Sequence, residues 1–146
     1  MKPPRALRDE LNPDPDPKVI IAIVGMPGAG KTTAAGYLAR AGIRVFSMGD
    51  VIRDEVRRRG LPPGLESQLR VMADVRKEHG PAALAVLLEP RIAAVDDSVV
   101  AVDGLRSPEE AARLELVGRV FVLAIHASPA MRLARLRARG RADDPT

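Results

Sequence analysis

Residues 19–33 read VIIAIVGMPGAGKTT, and this stretch decides the fold of the chain. Its first six residues form an uninterrupted apolar run rich in β-branched side chains, which is typical of a strand covered on both faces within a parallel sheet. Residues 25–32 match the pattern G-x-x-x-x-G-K-[ST], whose glycines let backbone N–H groups and a helix N-terminus surround phosphate oxygens. The stretch therefore predicts a strand, a phosphate-binding loop and a helix.

Each part of this loop has an expected task. Lys31 would reach the β- and γ-phosphates, the Thr32 hydroxyl would contact Mg²⁺, and Thr33 would contact the α-phosphate. The expected cofactors are therefore ATP and Mg²⁺, and the alternative is a glycine-rich turn without a ligand. We expect nucleotide contacts from nine consecutive residues, which are Gly25, Met26, Pro27, Gly28, Ala29, Gly30, Lys31, Thr32 and Thr33.

Strands and helices alternate along the rest of the chain. Further strands are predicted at residues 43–46, 98–102 and 120–125. Helices are predicted from residue 31 to the turn at 42, and at about 48–59, 65–78, 81–95, 108–117 and from 129 onward. Pro90 should kink or divide the helix over 81–95. The alternation predicts an α/β domain with a mainly parallel sheet.

Length and composition fit one ordinary globular domain. The chain has 146 residues, 46% of them hydrophobic and only 2% aromatic, so its core must be aliphatic. The absence of Cys excludes disulfides, thiolate metal sites and a cysteine nucleophile.

No apolar run has the length of a signal peptide or of a membrane span of ~18 residues, so we expect a cytoplasmic protein without a membrane partner. Residues 1–18 contain five Pro, which predicts a flexible extension.

Two acidic residues follow predicted strands and are candidate Mg²⁺ contacts. Asp103 ends the third strand, and an acid at that end of a strand beside a phosphate loop suits a contact to Mg²⁺ through water. An Asp-Gly pair is also an ordinary turn signal, but beside this loop we favour the metal role. Asp50 follows the second strand and would orient Mg²⁺ waters or the acceptor, with a helix cap as the alternative.

The surroundings of these acids resemble adenylate kinase and its nucleoside-monophosphate kinase relatives. Those enzymes carry a G-D-x-x-R helix start and a later D-G-x-x-R segment, whose arginines hold the phosphate of the acceptor. The resemblance gives this task to Arg53 and Arg106, although Arg106 stands one residue earlier than in D-G-x-x-R. A pair of guanidinium groups suits an anionic acceptor because each matches phosphate oxygens with a planar fork of donors.

Residues 135–139 are similar to the R-x-x-x-R segment in the lid of adenylate-kinase relatives. In those proteins one arginine lies over the donor base and the other contacts the transferring phosphates. The i, i+4 spacing places Arg135 and Arg139 on one helix face, where they would stabilise the charge of a phosphoryl transition state. The alternative is a solvated basic helix face or a nucleic-acid patch.

Taken over residues 19–146, the chain is similar to an archaeal family of P-loop nucleotide-kinase-like proteins related to dephospho-CoA kinase. The matching segments are GMPGAGKT, MGDVIRDE, VVAVDGLRS, AIHASP and RARGRADDP. The resemblance implies a three-layer α/β/α P-loop NTPase fold like that of nucleoside-monophosphate kinases. It also implies an acceptor-binding helical insertion at about 49–80 and a lid at about 132–146. Such kinases have a five-stranded sheet and a closing helix, so we expect a C-terminal strand and helix to be missing here.

These observations favour a kinase that transfers the γ-phosphoryl group of ATP to a phosphorylated small molecule, either a nucleoside monophosphate or a dephospho-CoA-like nucleotide. A regulatory NTPase that acts as a switch is the first alternative. A guanine-specific form is disfavoured because Asn12 is the sole Asn, which excludes an N-K-x-D motif. A kinase or ATPase acting on nucleic acid ranks lower because few aromatic side chains are present to stack on bases. The oligomeric state is left open.

Overall fold

Four strands and six helices alternate in the computed structural model, which describes residues 17–140. The strands are β1 (Val19–Val24), β2 (Arg44–Ser47), β3 (Val99–Asp103) and β4 (Arg119–Ala124). The helices are α1 (Lys31–Arg40), α2 (Met48–Arg58), α3 (Leu65–His79), α4 (Ala83–Ala93), α5 (Pro108–Leu114) and α6 (Pro129–Arg139). Most of the expected extension and the end of the expected lid lie outside the described residues.

The four strands form one parallel sheet in the order β2-β3-β1-β4. Strand β1 pairs with β3 on one side and with β4 on the other, and Ile23 lies beside Asp103 and Leu123. The predicted parallel α/β sheet is confirmed. Because neighbouring parallel strands run the same way, the carboxyl ends of β1, β3 and β4 lie at one edge of the sheet.

Helices cover both faces of the sheet, which confirms the predicted three-layer architecture. On one face, α1 packs over a small cluster that includes Ile21 and Ala101. On the other face, α2, α3, α4 and α5 share a larger aliphatic core with Ile20, Ala22 and Val102. No helix within residues 17–140 is long and apolar enough to cross a membrane.

Two helix predictions differ from the structure. Helix α4 runs unbroken through Pro90, so this proline does not divide the helix, and the other predicted outcome, a kink, stays a prediction. Leu88 and Ile92 are buried on either side of the exposed Pro90, and their packing holds the last turn despite the missing N–H donor. Helix α5 ends at Leu114 rather than at 117, because the N–H groups of Leu116 and Val117 donate to carbonyls three residues earlier, as in a 3₁₀ turn.

Helices α2 and α3, which cover the expected insertion at 49–80, are fastened to each other by an ionic network. Glu55 accepts hydrogen bonds from Arg58 and Arg59, and Arg59 also donates to Asp74 on α3. The hydrogen bond from Arg58 is the main cause that lowers the pKa of Glu55 to about 2. Both helices also contribute to the large core, so this segment is anchored to the sheet.

Strand β4 occupies one end of the sheet and is the least covered strand. Phe121, Val122 and Leu123 are 43%, 58% and 40% exposed, and the Arg119 guanidinium lies 5.5 Å from the centre of the Phe121 ring. Among residues 17–140 no further strand pairs with the outer edge of β4. The expectation that a fifth strand and a closing helix are missing stays a prediction.

Val102 and Val122 provide a matched test of this difference in burial. Both pair with Ala22, from opposite sides, but Val102 is fully buried. We expect Val102→Ala to lower the free energy of unfolding by about 2 kcal/mol through the cavity it leaves. The Val122→Ala substitution should cost less than about 0.5 kcal/mol. Urea denaturation of both variants measures these losses, and equal losses would contradict the described packing.

Candidate functional site

The candidate site lies where the carboxyl ends of β1, β3 and β4 meet. Gly25 follows β1, Asp103 ends β3 and Ile125 follows β4. Hydrogen bonds hold these ends together, because the Ile125 N–H donates to the Val24 carbonyl at 2.8 Å and the Gly104 N–H donates to the Ile23 carbonyl at 3.3 Å. Ligands of open parallel sheets bind at such an edge.

The predicted phosphate loop connects β1 to α1. The Ala29 N–H donates to the Met26 carbonyl at 3.1 Å and closes a turn, and α1 begins at Lys31 directly after Gly30. The Lys31 ammonium donates to the carbonyls of Gly25 at 2.6 Å and Met26 at 3.2 Å. The structure therefore has the strand, loop and helix that the motif predicts.

A pocket of about 400 Å³ opens beside this loop. It brings together residues from three separate parts of the chain, namely the loop, the segment after β3 and helix α6. The lining residues are Pro27, Gly28, Gly30, Lys31, Thr32, Arg106, Arg135, Leu136 and Arg139. Four cationic side chains thus surround one pocket, which suits a ligand with several negative charges. Thr33 is exposed and does not line it.

Asp103 and Lys31 perturb each other beside the pocket. Burial raises the pKa of Asp103, and the positive charge of Lys31 opposes that rise. Burial is also the main cause that lowers the pKa of Lys31, and the charges of Arg106 and Arg139 lower it further. A buried oxygen of Asp103, Oδ1, has no hydrogen-bond partner among the described residues, a costly arrangement that a ligand or water would relieve.

The unpartnered Asp103 oxygen fits the role expected for this residue toward Mg²⁺. Within residues 17–140 no three His, Asp or Glu side chains lie together as a complete metal site. This donor set is compatible with Mg²⁺, which proteins commonly bind through one or two carboxylates while phosphate oxygens and waters fill the remaining positions. Thr32 lines the pocket beside the phosphate loop and offers a hydroxyl, whereas Asp103 is not among the residues that line it.

Helix α6 lies directly against the phosphate loop. The Arg135 guanidinium donates to the carbonyls of Gly28 at 3.2 Å and Ala29 at 3.1 Å. A Cβ atom on Gly28 would stand 2.8 Å from the carbonyl oxygen of Arg132, and the backbone of Gly28 has φ +77°. Only glycine permits this approach, which places Arg135 and Arg139 beside the loop.

Asp50 and Arg53 do not line this pocket. Both Nε and Nη2 of Arg53 donate to Asp50 Oδ1, at 3.2 and 2.6 Å. The cap position of α2 is Ser47, and Asp50 lies three residues further along, so the alternative that Asp50 is the cap is wrong. Arg53 instead borders a second pocket of about 240 Å³ between α2 and the start of α3. Its other lining residues are Val56, Arg57, Leu61, Pro63, Gly64 and Gln68.

Sequence reasoning missed one residue near the site. Glu110 is 2% exposed, and its carboxylate accepts a hydrogen bond from the Arg106 N–H at 2.8 Å. The spacing Ser107-x-x-Glu110 is the signature of a capping box, which predicts a bond from the Ser107 N–H to the Glu110 carboxylate. The sequence therefore places Glu110 in the first turn of α5 but does not show its contact with the Arg106 N–H.

Comparison with known proteins identifies related sequences. The model of the AAA_18 family, described as an AAA domain, matches residues 21–145. A UPF0200 protein of Hyperthermus butylicus is 43% identical over 129 residues, which cover 88% of this chain and 69% of that protein. The UPF0200 protein PH1008 of Pyrococcus horikoshii is 46% identical over 132 residues, which cover 87% and 71% of the two chains.

Solved structures share the fold at low sequence identity. A sugar kinase from Janibacter sp. HTCC2649, solved without ligand, superposes with a TM-score of 0.53 and 19% identity, over 89% of this chain and 72% of the other. TT1252 from Thermus thermophilus superposes with a TM-score of 0.62 and 17% identity, over 86% and 74%. At these identities the likeness shows the fold, which is that of P-loop kinases.

Gly28→Ala tests the contact between α6 and the phosphate loop, and Gly60→Ala is its matched control. Gly60 also has a positive φ, +67°, but a Cβ atom there would meet nothing within 4 Å. Both substitutions carry backbone strain of about 1 kcal/mol, whereas Gly28→Ala also forces α6 away from the loop. We expect Gly28→Ala to weaken ATP binding about tenfold or more. Calorimetric titration measures it, and equal affinities in the two variants would show that the close approach is dispensable.

Proposed function

Because this chain belongs to the AAA_18 family and to the UPF0200 family, we propose that it is an ATP-dependent kinase acting on a phosphorylated small molecule. It would transfer the γ-phosphoryl group of ATP to a nucleoside monophosphate or a dephospho-CoA-like nucleotide. The nucleotide-binding, kinase-like fold is the part that family and structure establish. The observation that carries the proposal further is the pocket in which the phosphate loop meets three arginines from distant parts of the chain.

The charges of this pocket suit phosphoryl transfer. An ATP triphosphate brings several negative charges, and Lys31, Arg106, Arg135 and Arg139 offer four positive ones around about 400 Å³. Phosphoryl transfer depends on positioning and on stabilising the charge of the transferring group, so this chemistry needs little beyond well-placed cations. We assign Lys31 to the β- and γ-phosphates, and Arg135 and Arg139 to the transferring group and the donor nucleotide. Arg106, which the family resemblance assigns to the acceptor phosphate, lines this pocket and not the one beside Arg53, so we assign it to the transferring group as well.

The residues beside the loop also suit Mg²⁺. Thr32 would hold the ion through its hydroxyl and Asp103 through its unpartnered Oδ1, directly or through water. When bound, the ion would neutralise charge on the β- and γ-phosphates. We propose that Asp50 orients Arg53 and does not contact the metal, because both Nε and Nη2 of Arg53 donate to Asp50 Oδ1.

The second pocket is the proposed acceptor site. It lies within the segment 49–80, and its lining combines the apolar side chains of Val56, Leu61 and Pro63 with two arginines. An apolar floor with a few polar groups at its rim is the usual form of a small-molecule site. Arg53 would hold the acceptor phosphate, while the apolar floor would receive the organic part of the molecule.

The purified protein should release ADP faster when the correct acceptor is added. A panel of nucleoside monophosphates and dephospho-CoA, followed by a coupled assay of ADP release, identifies it. Lys31→Ala is the matched inactive variant, and it should also remove the thermal stabilisation by ATP, since ligand binding to the native state raises stability. Tight ATP binding without stimulation by any acceptor would favour the regulatory NTPase instead. Unchanged stabilisation of Lys31→Ala by ATP would contradict the assignment of the loop.

Arg53→Ala separates the acceptor site from the nucleotide site. Loss of a charged contact to the acceptor phosphate should raise the KM for the acceptor about tenfold or more. The dissociation constant of ATP should stay within about twofold, because binding energies at separate sites are largely independent. Arg70→Ala is the control, since Arg70 is an exposed arginine on α3 outside the pocket lining. Steady-state kinetics measure both, and an Arg53→Ala variant with unchanged acceptor KM would refute this placement.

A further inference from the structure

We infer that Glu110 is a positioning residue that holds Arg106 in place within the phosphate pocket. Glu110 does not line that pocket, and its described contacts are with the backbone of the segment after β3 and with the Ser107 hydroxyl. The inference rests on the proposed function, because it gives Arg106 a phosphate to contact. It adds a residue that acts through another side chain rather than on the ligand.

The backbone between β3 and α5 is fastened at successive points. The Gly104 N–H donates to the Ile23 carbonyl at 3.3 Å, and Leu105 is buried in the large core. The Arg106 N–H then donates to Glu110 Oε2 at 2.8 Å. Arg106 therefore stands between a buried leucine and the start of a helix, and its own N–H is tied to the carboxylate of Glu110.

Glu110 lies in the first turn of α5, which begins at Pro108. Its N–H donates to the Ser107 hydroxyl at 3.2 Å, which is half of a capping box, while its carboxylate accepts from the Arg106 N–H and not from the Ser107 N–H that would complete the motif. The Glu110 residue is 2% exposed. Burying a carboxylate costs free energy unless it is hydrogen-bonded, and a charged acceptor makes a stronger bond to an N–H group than a neutral one does. The buried charge thus fastens the Arg106 backbone firmly.

The side chain of Arg106 depends on this anchor more than the other arginines do. Its guanidinium donates no hydrogen bond to another described residue, whereas Arg53 is held by Asp50 and Arg135 by the carbonyls of the loop. The Arg106 charge nevertheless lies close enough to lower the pKa of Lys31. Because no described residue accepts a hydrogen bond from the guanidinium, its position depends on the backbone from which it extends, and the N–H of that backbone is bound by Glu110.

A double-mutant cycle tests whether Glu110 acts through Arg106. Arg106→Ala should weaken ATP binding about tenfold by removing a charged contact. Glu110→Ala should weaken it to a similar degree, since misplacing a group by about 1 Å costs up to about a hundredfold. The double variant should bind ATP no more weakly than Arg106→Ala alone, because the second change then has nothing left to displace. Calorimetric titration with ATP gives the affinity of each variant, and kcat is measured in parallel.

Ser107→Ala is the control for a purely structural role. It removes the hydroxyl that caps α5 and destabilises the same helix end, but it leaves the bond from the Arg106 N–H to Glu110. ATP affinity should stay within about twofold in this variant, even where its melting temperature falls as expected for a lost cap. Additive losses in the cycle, or an equal loss in Ser107→Ala, would overturn the inference.

The role of Glu110 can be tested even if Glu110→Ala does not fold or the protein phosphorylates no acceptor. Where Glu110→Ala does not fold, Glu110→Gln replaces it, because the amide oxygen still accepts the bond without the charge. The same non-additive pattern is then expected with smaller losses, and additive losses count against the inference. If the wild-type protein binds ATP but phosphorylates no acceptor, the proposed kinase activity fails while the cycle in ATP affinity still decides the role of Glu110. If the kinase is active and the cycle is additive, only the role of Glu110 fails.

Discussion

The parallel pairing of β1 with β3 and β4 is the constraint on which the whole site depends. Because β1 lies between these strands, the loop after it begins beside Asp103 on one side and Ile125 on the other. The same arrangement carries the chain after β4 into α6, whose backbone reaches the loop at Gly28. A different strand order would separate the phosphate loop from its acid and from its arginines.

The cations of the two pockets are held in different ways, and the difference affects their charge. Lys31 and Arg135 donate to backbone carbonyls, which are neutral and do not offset a positive charge. Arg53 is paired with the carboxylate of Asp50, which offsets its charge. The phosphate pocket is therefore strongly cationic, whereas the pocket between α2 and α3 combines a compensated charge with an apolar floor. This contrast matches a polyanionic donor in one pocket and a partly apolar acceptor in the other.

Local patterns in the sequence were sufficient for the elements and for the phosphate loop, because strand, loop and helix propensities act over short spans. The unbroken helix at Pro90 could not be predicted, because the packing of Leu88 and Ile92 decides it. The ion pair between Asp50 and Arg53 was not predicted either, because an aspartate and an arginine at these positions could each contact a ligand instead of each other. The approach of α6 to Gly28 joins residues far apart in sequence. The family resemblance placed Arg135 and Arg139 at the phosphates, but it gave no sign of this close contact between backbones.

The carbonyl contacts of the loop have a consequence for ligand selectivity. Lys31 is bonded to Gly25 and Met26, and Arg135 to Gly28 and Ala29, so a ligand that draws these cations toward itself exchanges one set of hydrogen bonds for another. The free energy of such an exchange is a difference, and it favours the ligand only when its oxygens are better acceptors than neutral carbonyls. The loop therefore favours ligands with charged oxygens: the oxygens of a polyphosphate are better acceptors than the loop carbonyls, and those of a neutral hydroxyl or amide are not.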